Sequence, residues 1–123
     1  MTVTAYTLAV LLDLLCVFLG YRFWFQPGPA AAGYGVPADP GGDAGAYLSI
    51  KGVRDGTLGL IGLALLAFAG AQAEAWFMLA VALVPLGDTL IVLRHGGAKA
   101  VAFGIHFATA VVVLISAGLL FAV

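Results

Sequence analysis

Charge is what this chain has least of. Its 123 residues include six acidic and five basic ones, a charged fraction of 9%, where a soluble domain carries about one quarter. The balance of -1 leaves no electrostatic footprint for a nucleic-acid partner. Cysteine occurs once, at Cys16 inside an apolar run, which excludes an intrachain disulfide. Such a thiol reads as a small buried hydrophobe. No Cys/His set has zinc-ligand spacing and no nucleotide motif is present, so no metal site and no cofactor are expected. The first segment also lacks the basic start and small-residue cleavage site of a signal peptide, and it carries Asp13 midway. It therefore reads as a retained helix.

What is present is apolar surface: 63% of residues are hydrophobic and the mean hydropathy is +1.14. That places the chain in the membrane class, with room for one domain. The expected fold is all-α, a four-helix transmembrane bundle with helices at about 3–25, 46–69, 75–94 and 99–122. Each run suffices for a hydrocarbon core of about 30 Å, which takes ~20 helical residues. The linker 26–45 holds Pro27, Pro29, Pro37 and Pro40, which exclude one long helix there. Pro29–Gly33 could form a single helical turn. Tyr34 and Val36 could then dip into the interface or cap a pocket, against the plainer reading of a surface connector. Gly52, Gly56, Gly59 and Gly62 give the second helix a small surface for close approach of a neighbour. Gly70–Glu74 is expected to be a tight turn, and Pro85 a kink in the third helix.

The scarce charges are not scattered. Arg22, Lys51, Arg54, Arg94 and Lys99 fall at one membrane face under this count. The positive-inside bias makes that face cytoplasmic and puts both termini outside, in an inner-membrane, multi-pass topology. Below that rim, Asp55, Asp88, His106 and Asp13 sit roughly 6–13 Å from the helix ends. Ionisable groups at such depth face the bundle interior and find partners. Asp88 and His95 are seven residues apart, as are Lys99 and His106, and Tyr6, Asp13 and Gly20 form a further stripe. Two ion pairs, Arg54 with Asp88 and Arg22 with Asp13, are the structural alternative to a functional pocket.

In the functional reading Asp88 is the candidate acid and His106 the candidate base. Asp55 has Lys51 four residues before it and Arg54 beside it, so it is the third member, an ionised anchor. Asp13, Tyr47, Lys51, Arg54, Arg94 and His95 are the candidate substrate-binding residues.

The phrases AAAGYGVP, AYLSIKGVRDGTLGL and PLGDTLIVLRHGG, with His106 after them, resemble the small bacterial membrane proteins of the domain of unknown function 4267 family. The likeness runs from Arg22 into the fourth helix. The family looks like a four-helix relative of the DoxX-like membrane proteins. The resemblance implies that fold and brings no assigned activity. Its motifs contain Lys51, Arg54, Asp55, Asp88, Arg94 and His95, while Asp13 lies outside them.

Three functions compete. The first is an intramembrane enzyme performing cofactor-free isomerisation, cyclisation or epoxide opening on a small lipophilic molecule in the bilayer. The second is a proton-coupled carrier, which with four helices would need a homo-oligomer. The third is an accessory subunit whose charges meet a partner membrane protein.

Overall fold

The computed structural model describes residues 1–123, and every regular element in it is helical. Helix α1 (Thr2–Phe25) leads into a short α2 (Pro27–Tyr34) and a long α3 (Ala44–Phe68). Then come α4 (Ala71–Val81) and α5 (Leu83–Arg94), which form one interrupted rod. The last rod is α6 (Lys99–Val101), a π-helical segment (Ala102–Phe107) and α7 (Ala108–Phe121). The four expected long helices are therefore present, and the linker contributes a two-turn helix where a single turn was anticipated. Pro27 stands at its first position and Gly35 closes it at φ +92° in the left-handed region.

Three rods, Thr2–Phe25, Ala71–Arg94 and Lys99–Phe121, are long and apolar enough to cross a membrane. Helix α3 has the length, 25 residues, but carries Lys51, Arg54 and Asp55 in its first half. Only 23 of 123 residues are buried. Leu11, Leu14, Phe18, Leu60, Leu90 and Ile115 point outward, as side chains solvated by acyl chains do. This is a membrane protein.

Helix α1 packs along α3 on one side and against α7 on the other, while α4 rests on α7 and α5 on the π segment. Backbone meets backbone where α1 crosses α3. A Cβ at Gly52 would stand 2.9 Å from the Gly20 carbonyl oxygen, so a side chain there would force the helices apart. The buried stripe of α1 is Ala5, Ala9, Asp13, Gly20 and Phe23. Tyr6, expected on that stripe, is exposed instead.

Two apolar cores flank a polar middle. Ala5, Ala9, Ala75, Met78, Ala82, Val113, Ala117 and Leu120 pack at the end of the bundle holding the termini. Phe23, Ala30 and Ala31 fasten α2 at the other end. Along the third rod the helix begins at Ala71, four residues before the expected start, because Gly70 at φ +89° makes the turn by itself. The break falls at Ala82, ahead of Pro85. Pro85 has no N–H for the Val81 carbonyl and its ring crowds that turn, so the ladder opens one turn before the proline. The π segment was not anticipated. Each π turn takes in an extra residue, so the later part of the rod is rotated relative to the earlier part. Lys99 and His106, expected on one face, are consequently parted: Lys99 is exposed and His106 is buried.

Candidate functional site

Tyr34 is the centre of the polar middle. Helix α2 folds back under the bundle and ends on this residue, and its phenol O–H donates to the Asp88 carboxylate. The Lys51 ammonium donates to the same phenol oxygen at 3.2 Å and to Asp55 Oδ2 at 2.8 Å. From the far side, His106 Nε2 donates to the Tyr34 backbone carbonyl at 2.7 Å. That bond fixes the tautomer and leaves Nδ1 as the basic ring nitrogen. A chain of groups, Asp55–Lys51–Tyr34–Asp88, thus joins α3, α2 and α5, with His106 delivered by the π segment.

Aromatic contacts hold the hub. The Tyr34 and His106 ring centroids are 4.2 Å apart, and Phe23 meets Tyr34 edge-on at 5.5 Å. Lys51 Nζ stands 4.3 Å from the Tyr34 ring centroid, a cation–π distance. Burial first, then the charge of Asp88, pushes the Tyr34 phenol above its ordinary range, so it remains an O–H donor.

Asp55, Asp88, His106 and Tyr34 line one cavity of about 100 Å³, whose other walls include Leu15, Cys16, Leu19, Val81, Pro85 and Val113. A smaller space of about 60 Å³ continues from it, sharing Cys16, Leu58 and Val113, and ends on Asp13. Asp13 is 2% exposed and Glu74 is fully buried. Asp13 Oδ2 and both Glu74 carboxyl oxygens have no hydrogen-bond partner. The cavity also opens sideways between α3 and α5, which scarcely touch. Asp55, Leu58 and Val84 belong both to it and to an outer groove lined by Tyr47, Ile50, Lys51 and Arg54.

A sequence model described as Domain of unknown function (DUF4267) matches residues 14–120. The chain belongs to the DUF4267 family. No curated protein and no solved structure matches it.

Within this DUF4267 chain, the candidate residues divide cleanly. Lys51, Asp55, Asp88 and His106 come together around Tyr34. Asp13 lies deeper, at the end of the continuing space. Arg54 and Tyr47 are exposed and reach only the outer groove, while Arg94 and His95 are exposed at the end of α5. His95 does not join Asp88. Its Nδ1 lies 2.9 Å from the carbonyl oxygen of Ile91 in its own helix. Neither anticipated ion pair forms, since the sole salt bridge is Lys51–Asp55. Arg54 faces outward, and Asp88 is satisfied by Tyr34 instead.

Two polar residues were not singled out as site residues: Tyr34, which joins the site, and Glu74, which is buried and lines neither cavity. Tyr34 carried a weak signal, the lone aromatic between AAAG and GVP in a proline-bounded turn. Glu74 carried none, because a carboxylate in an expected interhelical turn ordinarily faces water.

Proposed function

We propose that this protein is an intramembrane acid–base enzyme acting on a small lipophilic substrate by isomerisation, cyclisation or epoxide opening. The observation that carries the reading is the meeting of Asp88, His106 and the Tyr34 hydroxyl at one cavity whose remaining walls are largely apolar. An apolar pocket with a few convergent polar groups is the form small-molecule sites take. In this reading His106 Nδ1 and Asp88 exchange the proton. The Tyr34 O–H, donated to Asp88, stabilises the charge that Asp88 acquires when it gives up its proton, and Asp55 fixes Lys51 against Tyr34. No step calls on a cofactor.

The test compares lipid extracts incubated with membranes containing the wild-type protein, Asp88→Asn or His106→Ala, read by mass spectrometry. A species that appears with the wild type and with neither variant is the expected product. Identical profiles for all three would sink the enzyme reading.

One observation favours a second reading, a proton-coupled carrier. The cavity continues to Asp13, a second buried carboxyl deeper in the bundle. Asp13→Asn separates the two: it stops coupled uptake in a carrier and spares turnover in an enzyme. For either, we place the protein in a bacterial inner membrane with the basic rim cytoplasmic and both termini outside. A cysteine placed at Gly42 in a Cys16→Ser background is then labelled from the cytoplasm alone. Labelling from the periplasm reverses the orientation.

A further inference from the structure

A second cavity lies between α1 and α2 and shares Leu19 and Tyr34 with the acid–base cavity. It encloses about 150 Å³ and is lined by Leu19, Arg22, Phe23, Ala30, Gly33 and Tyr34. That is far above the roughly 10–15 Å³ needed to hold one water. Arg22 is its only charged residue, and nothing on the protein neutralises it, because the sole salt bridge is Lys51–Asp55. Its Nε is sealed from solvent and has no acceptor. An arginine that merely snorkels keeps its donors in water. Arg22 lines this pocket with no acidic side chain beside it, and its buried Nε finds no acceptor on the protein.

The group that would satisfy it is planar or tetrahedral, negatively charged and bears at least two oxygens. A guanidinium presents paired N–H donors, and such a fork matches a phosphate or carboxylate. Position agrees with chemistry. Arg22 stands in the last turn of α1, at the basic end of the bundle, where head groups meet the hydrocarbon core. The small residues of α2 keep the space open, and a Cβ built at Gly33 would meet nothing within 4 Å.

We infer that the pocket between α1 and α2 is an oxyanion site, in which Arg22 binds a phosphate or carboxylate group of a lipid head group or of a free anion. The site does not depend on the acid–base reading and would persist if that reading failed.

The test uses the full chain purified in an uncharged detergent. Inorganic phosphate and dihexanoyl phosphatidylglycerol are titrated separately, each against sodium chloride at matched ionic strength. In the wild type, at least one raises Tm by roughly 2 °C or more. A rise with phosphate identifies a free anion, and a rise with the lipid alone identifies a head group. The rise is lost in Arg22→Gln, which removes the charge. It is also lost in Gly33→Leu, which keeps the charge and fills the pocket. If Arg22→Gln does not fold, Gly33→Leu decides by itself. The site is refuted if neither ligand moves Tm beyond the salt control, or if Gly33→Leu keeps the full rise.

Discussion

His106 Nε2 lies 2.7 Å from the carbonyl oxygen of Tyr34, across 72 positions of sequence. The contact ties the π segment to the end of α2, and so positions the phenol and the imidazole together. His106→Ala removes both this bond and the ring contact while leaving the four long helices their packing. The expected result is a folded protein, less stable by about 1–3 kcal/mol. Hydrogen exchange at Tyr34–Val36 should quicken while the α1–α3 interface keeps its protection. Uniformly faster exchange along α1 and α3 would show that the contact holds the bundle rather than the hub.

Tyr34 also gives the protein an alkaline limit. Its phenol is pushed above the ordinary range in the folded state, while in the unfolded chain it titrates near pH 10. Above that pH the unfolded state binds fewer protons than the folded one, so stability falls as pH rises. Below it, Tyr34 contributes no slope. Tyr34→Phe should therefore flatten the stability profile above about pH 10 relative to the wild type. Parallel profiles would mean that the phenol is open to water.

Asp55 holds Lys51 against Tyr34, in a pair whose side chains are 26% and 13% exposed for Lys51 and Asp55. Asp55→Asn leaves the ammonium without its counter-charge. With the screening that this exposure allows, the loss should be about 1–3 kcal/mol in detergent unfolding. Adding Lys51→Met to Asp55→Asn should recover part of it, because an unpaired charge no longer remains. A double variant less stable than Asp55→Asn would show that Lys51 stabilises chiefly through Tyr34 and Phe23.

Two glycines of α3 should respond differently to the same methyl group. A Cβ at Gly62 would run into the carboxylate of Asp13, whereas one at Gly59 would strike α1 backbone, including Val17 N at 2.9 Å. Both Gly62→Ala and Gly59→Ala should therefore destabilise, by roughly 1–3 kcal/mol or more. Asp13→Ala should rescue Gly62→Ala and leave Gly59→Ala unrescued. Equal rescue of both would mean that α1 and α3 separate as rigid rods.

The sequence by itself determined the class and the helices. In lipid the backbone must satisfy its own hydrogen bonds, and apolar runs of about 20 residues separated by glycine and proline do so as helices, so the pattern alone places the four long helices. It also determined that α3 would offer a glycine surface, because Gly52, Gly59 and Gly62 are buried where α1 approaches. A common level for Asp55, Asp88 and His106 was suggested by helical rise, and the three do line one cavity. Facing was not legible. The π segment turned His106 away from Lys99, and Arg54 and His95 settled outside the cluster that their spacing suggested. Only the tertiary structure decided that Tyr34, on a short helix in the linker, would be the residue on which Lys51, Asp88 and His106 converge. The physical reason is that spacing along one helix fixes relations within that helix alone. Contacts between helices depend on rotations that a proline break, a π turn or a folded-back linker resets.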